Sequence, residues 1–237
     1  MKPNNPKTRG RFPGRVPVRW QREVESVLIT QPRLARRVRE LAAAIERDYA
    51  GRETVIVALL NGTVMFLADL IRHLSIPLRL DFMGVSSYGL GTESGELILT
   101  KDLRLDLEGR DVLLVDDILD TGRTLRCVRD HVDALRPRRV RTCVLLDKAA
   151  RRIEPVRADY VGFAIPDLFV VGYGLDFAER YRNLPFVGCS IPTYINKRAN
   201  GCKPPRAGAA GSPPDAGNVQ GVPGFAGPAG TRSYTRT

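Results

Sequence analysis

Val112 to Leu125 reads VLLVDDILDTGRTL. Four apolar residues run straight into Asp116 and Asp117, and Asp120, Thr121, Gly122, Arg123 and Thr124 follow where helical apolar spacing begins and continues to Leu135. A short apolar, β-branched run reads as a buried strand, and parallel sheets gather their ligands beyond the carboxyl ends of such strands. Gly122 lets the backbone approach a ligand closely, the threonine hydroxyls can donate hydrogen bonds, and the free N–H groups at a helix start face an anion. A phosphate fits there. Two neighbouring carboxylates would repel a bare triphosphate, but they suit the neutral hydroxyls of a sugar and a divalent cation. The stretch therefore reads as a site for a sugar phosphate with a metal.

Other phosphate chemistries are disfavoured on the same residues. The pattern G-x-x-x-x-G-K-[ST] is absent, and no G-x-G-x-x-G follows the strand, which removes the main support for a kinase or a dinucleotide enzyme. A phosphoaspartate phosphatase needs one residue between its two aspartates, whereas Asp116 and Asp117 are adjacent and Ile118 follows. A merely solvated turn would not need three acids, a glycine and two threonines in nine residues after a buried strand.

Outward from this stretch, helix and strand patterns alternate. Leu34, Val38, Leu41, Ile45 and Tyr49 recur at helical spacing, with Thr30 as a candidate cap and Pro32 in the first turn. Thr54 to Leu60 predicts a strand that ends at Asn61-Gly62, and Val64 to Leu74 predicts a helix. Leu78 to Ser86 and Glu96 to Thr100 predict strands around SYGLGTESG, a mobile loop by composition. Asp111 to Val115, Arg123 to Leu135, Arg139 to Leu146 and Asp159 to Phe163 add strand, helix, strand and strand. This order implies an α/β fold with a mostly parallel sheet covered on both faces.

The 237 residues suffice for one core, and the formal charge of +11 sits at the ends. Residues 1–22 carry +7 and residues 197–237 carry +5, leaving −1 on the 174 between them. A near-neutral core between basic tails disfavours a nucleic-acid-binding fold, though the tails can attract polyanions weakly. We expect a basic, disordered extension over 1–22, one domain over 23–196 and a disordered tail over 197–237, where 14 of 41 residues are Gly or Pro. No apolar run approaches the roughly 20 residues that span a bilayer. Cys127, Cys143, Cys189 and Cys202 show no C-x-x-C spacing and read as free thiols in a reducing cytosol.

The Val112 segment resembles the PRPP-binding signature of type I phosphoribosyltransferases, and residues 25 to 192 look like the hypoxanthine-guanine branch. Leu60-Asn61-Gly62-Thr63 is placed like the family's pyrophosphate loop, which often carries a non-proline cis peptide, with Asn61 where some members have Lys. Ser87-Tyr88 is similar to the start of its closing loop, and VGFAIPDLFVVGYGLDFAERYRNLP from Val161 to Pro185 looks like its base-binding region. The resemblance implies the family's fold, with a small hood segment and a flexible loop, in a cytoplasmic, Mg²⁺-dependent purine salvage enzyme. Such an enzyme transfers phosphoribosyl from PRPP to hypoxanthine or guanine, giving IMP or GMP and pyrophosphate. It implies that Asp116 and Asp117 hold the ribose directly or through Mg²⁺, that Asp120 to Thr124 cradle the 5-phosphate, and that Asp120 exchanges a proton with the purine N7. Asn61, Gly62, Ser87, Tyr88 and Arg182 would serve PRPP and its pyrophosphate. Lys148 would donate to the purine O6, because an ammonium has only donors and so requires a carbonyl there. Phe169 would stack on the base, Val170 would contact it through its backbone, and Asp176 would serve base and second metal. A homodimer or homotetramer is the expected assembly. The alternative is a non-catalytic regulator of the same fold that senses PRPP or nucleotides and binds nucleic acid.

Overall fold

The computed structural model describes residues 15–87 and 97–190. The chain runs β1 (Val24–Ile29), α1 (Gln31–Tyr49), β2 (Thr54–Leu60), α2 (Val64–Ile71), β3 (Leu78–Ser87) and β4 (Leu97–Lys101). It continues with β5 (Asp111–Leu119), α3 (Arg123–Ala134), β6 (Arg139–Asp147), β7 (Tyr160–Ala164), β8 (Val170–Val171) and β9 (Val187–Ser190). A six-stranded sheet has the order β4-β3-β2-β5-β6-β7 and is parallel except where β4 returns against β3. A small antiparallel sheet, β1-β9-β8, stands beside it as a separate layer.

The alternation of side chains along the central strands builds two cores. Ile56 and Ala58 on β2, Leu113 and Val115 on β5, and Cys143 and Leu145 on β6 pack with α1 and α2. Their neighbours Val55, Val57, Val112, Leu114 and Val144 pack with Leu125, Val128 and Val132 of α3. A strand buried on both faces carries no polar alternation, which is why VIVALL on β2 and VLLV on β5 are continuously apolar. Helix α1 buries Leu34, Val38, Leu41, Ala42, Ile45 and Tyr49 on one stripe, as its spacing requires. Thr30 is its N-cap residue by position and makes no side-chain capping bond.

Three differences from the sequence expectations have physical causes. Strand β5 continues through both acids to Leu119, because the β6 ladder extends over Asp116↔Val144, Ile118↔Leu146 and Leu119↔Asp147. Strands β1, β8 and β9 carry little local signal, since β8 has two residues and β1 finds its partner more than 150 residues away. The packed chain also reaches nearer the N-terminus than the boundary expected at residue 23. Val16 is buried, Gln21 Nε2 donates to Val16 O at 3.0 Å, and Trp20 meets Tyr181 edge-on at 5.6 Å. Residues 1–14, the whole loop from Tyr88 to Glu96, and residues 191–237, which include the expected C-terminal tail, lie outside the described residues.

At the amino end of β5, away from the acids that close it, Asp111 is fully buried and faces three arginines: Arg52 at 3.6 Å, Arg139 at 3.4 Å, and Arg138. Asp111→Asn should cost about 1.5–3 kcal/mol through its weakened charge-assisted bonds. Thermal unfolding should show a melting point several degrees lower, with the secondary structure of the folded state unchanged by circular dichroism.

Candidate active site

The carboxyl ends of β2, β5 and β6 meet around Asp116 and Asp117. Consecutive residues on one strand, both half-buried, they line a cavity of about 210 Å³ with Asp120, Thr121, Gly122 and Thr124. Thr63 Oγ1 donates to Asp116 Oδ1 at 3.3 Å, and the Asp117 N–H donates to the same oxygen at 2.9 Å. Burial and the neighbouring Asp117 charge hold the Asp116 carboxyl well above the usual carboxylate range. Burial also raises Asp117, against the pull of its hydrogen bonds and of the Arg182 charge. A bound cation would reverse both shifts.

The loop after β5 is built as a helix entry. Gly122 is the N-cap residue of α3 with φ +88°, and the first helical bond runs from Arg126 N–H to Gly122 O at 2.9 Å. The N–H groups of the first turn therefore have no partner within the helix and can face an anion. The structure gives Gly122 a different reason from the one its sequence context suggests. A Cβ there would meet Val156 at 2.7 Å and Arg152 at 3.0 Å, so the glycine admits the chain that returns beneath the loop.

Backbone proximity also sets the neighbouring loop. The Leu60–Asn61 peptide is cis. A Cβ on Gly62 would come within 1.7 Å of Asp117 Oδ2, and one on Gly174 within 1.9 Å of Gly62 O. This stacking places Asp176 and Arg182 near Asp117: Arg182 Nη2 meets Asp176 Oδ1 at 3.0 Å, and Nη1 donates to Gly174 O at 2.9 Å.

On the other side of Asp120, Lys148 is buried after β6. Its Nζ lies 3.4 Å from Asp120 Oδ2 and 3.9 Å from Asp167 Oδ1, while Arg151 Nε approaches Asp120 Oδ1 at 3.5 Å. Phe169 keeps 45% of its surface exposed, edge-on to Phe177, and Val170 is buried beside it on β8. The fold thus brings together Asn61, Gly62, Asp116, Asp117, Asp120 to Thr124, Lys148, Asp176 and Arg182 around one end of the sheet, with Phe169 and Val170 on the neighbouring chain. Ser87 closes β3, and Tyr88 lies outside the described residues. Thr63, Arg151, Arg152 and Asp167 were not marked as candidates. Thr63 was visible inside the Leu60–Thr63 loop, whereas single basic or acidic residues in KAARRI and IPDL carry no distinguishing local pattern. A larger cavity of about 340 Å³ lies elsewhere, between α1, α2 and Tyr173, and holds none of these groups.

A parallel α/β sheet with adjacent acids and a helix entry at its carboxyl edge defines the class of sugar-phosphate-binding proteins. Comparison with known proteins narrows it. The family model of the phosphoribosyl transferase domain matches residues 26–178. A hypoxanthine-guanine phosphoribosyltransferase of Streptococcus thermophilus is 41% identical over 75% of this chain and 99% of its own. The crystal structure of a hypoxanthine phosphoribosyltransferase from Staphylococcus aureus superposes with a TM-score of 0.72 at 41% identity, over 76% of this chain and 98% of that one. The bifunctional protein TilS/HprT of Listeria innocua is 46% identical over 74% of this chain, which spans only 27% of that protein's length. The chain belongs to the phosphoribosyltransferase family, in its hypoxanthine-guanine branch.

Because the folded protein raises the Asp116 pKa, the ionised carboxylate costs stability in full above that raised pKa; the cost shrinks as pH falls below it and is gone below the pKa of the unfolded chain. Metal-free Asp116→Asn should therefore melt above wild type at neutral pH and lose that advantage in acid. Turnover by the variant should fall sharply. Thermal scans across pH together with a turnover assay check both halves.

Proposed function

We propose that this chain transfers the 5-phosphoribosyl group of PRPP to hypoxanthine or guanine, releasing pyrophosphate and giving IMP or GMP. The observation that carries this reading is the buried Lys148 beside Asp120, 3.4 Å away at the ends of adjacent strands. A donor-only ammonium next to a carboxylate matches one edge of a 6-oxopurine, whose O6 accepts and whose N7 exchanges a proton. Adenine, with an amino group at position 6, offers the ammonium no acceptor.

In the reaction, N9 of the base bonds to C1 of the ribose as the bond from C1 to pyrophosphate breaks. Asp120 holds the N7 proton as general acid/base, and Lys148 fixes O6. Phe169 offers a face for the base, with the Val170 backbone beside it. The first turn of α3, with Thr121, Arg123 and Thr124, receives the 5-phosphate. Asn61, Gly62 and Arg182 serve the pyrophosphate, and the loop that begins at Ser87 and Tyr88 excludes water. The donor set suits Mg²⁺, since paired carboxylates with substrate oxygens are its usual shell. Among the described residues no group of three or more His, Cys, Asp or Glu could hold a metal alone; on this reading Asp116 and Asp117 would hold one ion and Asp176 a second, each together with substrate oxygens. When bound, Mg²⁺ neutralises charge on the leaving pyrophosphate.

Transferase names among the relatives support this reading over a non-catalytic regulator of the same fold. We assign the enzyme to the cytoplasm as a homodimer or homotetramer, which sedimentation equilibrium tests directly. No helix among the described residues is long and apolar enough to cross a membrane.

Pyrophosphate release measured with PRPP, Mg²⁺ and each of hypoxanthine, guanine, xanthine, adenine and uracil should occur with 6-oxopurines and not with adenine or uracil. Asp120→Asn should lower kcat by about 10²–10⁴-fold with PRPP affinity retained. Lys148→Ala should raise the KM for the base while leaving that for PRPP. Turnover of adenine at the hypoxanthine rate, or wild-type kcat in Asp120→Asn, would overturn the assignments.

A further inference from the structure

The segment after β6 holds an arginine that none of the roles above uses. Arg152 keeps only 17% of its side chain exposed and makes four hydrogen bonds. Its Nε donates to Asp120 O at 3.0 Å, Nη1 to Val156 O at 2.7 Å, and Nη2 to Leu119 O at 3.2 Å and to the Asp147 carboxylate. Leu119 O also accepts the backbone N–H of Lys148 at 2.9 Å. The aliphatic stem lies beneath Gly122, with Cδ 3.0 Å from where a Cβ would stand. One guanidinium therefore joins the last residue of β5, the Asp120 peptide and the end of β6.

This junction lies between the two groups that must agree in position. Asp120 leaves β5 and Lys148 leaves β6, and on the reading above they address neighbouring atoms of one purine edge. Their spacing must match that edge, yet each sits one residue past the last ladder pair, Leu119↔Asp147, where the Lys148 N–H to Leu119 O bond continues the backbone pairing.

We propose that Arg152 is a positioning residue for base recognition and proton exchange, acting through the Asp120 backbone and the β6 end that carries Lys148. The planar guanidinium fork suits this task, because it reaches several acceptors in fixed directions and cannot lose its charge. Lysine presents a single point charge and cannot span the same carbonyls. The phosphate loop has holds of its own besides Arg152. Thr121 O, in the phosphate loop, is held by the N–H groups of Ile153 and Glu154 at 2.9 and 3.0 Å, and Asp116 is held within the β5–β6 ladder.

The inference rests on the proposed roles of Asp120 and Lys148, and the test separates the two. Initial rates are measured on the full chain and on Arg152→Ala and Arg152→Lys, with PRPP, Mg²⁺ and hypoxanthine, after the folded fraction of each is determined by circular dichroism. Arg152→Ala should lose about 10–100-fold in kcat per folded enzyme and raise the KM for hypoxanthine, the scale expected of a small misplacement. The KM for PRPP should stay within about twofold, and Arg152→Lys should recover little. A loss of rate fully accounted for by the unfolded fraction, with both KM values unchanged, would reduce Arg152 to support of the fold and overturn the proposal. Full rates in both variants would overturn it alone, whereas a wild-type protein inert toward every 6-oxopurine would remove the underlying reading as well.

Discussion

Two stretches of backbone and one carboxylate meet at the carboxyl end of β5 more closely than added side chains would allow, and the site depends on that contact. Gly174 presses on the Gly62 carbonyl, and Gly62 presses on the Asp117 carboxylate. The turn that delivers Gly174 is held in the left-handed region over Gly172, Tyr173 and Gly174, at φ +98°, +52° and +101°. Tyr173 is the costly member, being neither glycine nor asparagine. Its hydroxyl donates to Asp69 on α2 at 2.5 Å, which ties the turn to the helix that follows the Asn61–Thr63 loop. Loop, acid and turn are thus located by one another, and the Asp176–Arg182 pair is carried into place by chain geometry.

The sheet explains why these pieces come from distant parts of the sequence. In a parallel sheet every strand ends on the same edge, so the loops after β2, β5 and β6 share one rim. Register keeps them level: Ala58 pairs with Val115, and Leu119 with Asp147. The rim therefore receives a backbone loop, a pair of acids with a helix entry, and a buried lysine without any long connection. The opposite edge carries Asp111 among its arginines, a structural use of charge whose removal leaves the rim in place.

Much of this was legible in the sequence, and the limits have physical reasons. The runs VIVALL of β2 and CVLL of β6 are continuously apolar because both faces are covered, and the ends of those strands were located to within a residue. The sequence places the strand's end at the acids, since aspartate is disfavoured in strands, whereas a parallel ladder to β6 on one side is enough to keep them extended. Strands β1 and β9 pair with each other across most of the chain, and β8 has two residues, so no local window announces them. In the candidate site, Asp116, Asp117 and Asp120 stood out because acids after a buried strand are unusual. Arg152 did not, because a basic residue after a strand is ordinary and its significance lies in three carbonyls and a carboxylate that only the fold assembles.

The acids also show how stability and function are set against each other. Asp116 and Asp117 are adjacent, half-buried and shifted upward, so without a cation they hold charge that the fold would shed by taking up a proton. Arg182 offsets part of this at Asp117 but is itself paired with Asp176 and Glu179. A fold selected for stability alone would replace one acid with an amide or an apolar side chain. Keeping both makes sense if their charge is compensated from outside the chain, and a divalent cation arriving with the diphosphate of PRPP is compensation of that kind. The protein would then be most stable when loaded, because a ligand that binds only the folded state adds its binding free energy to stability. On the proposed reading, relief of the repulsion between Asp116 and Asp117 would add to the affinity for the metal–substrate complex, so the cost to stability and the gain in binding would be the same interaction.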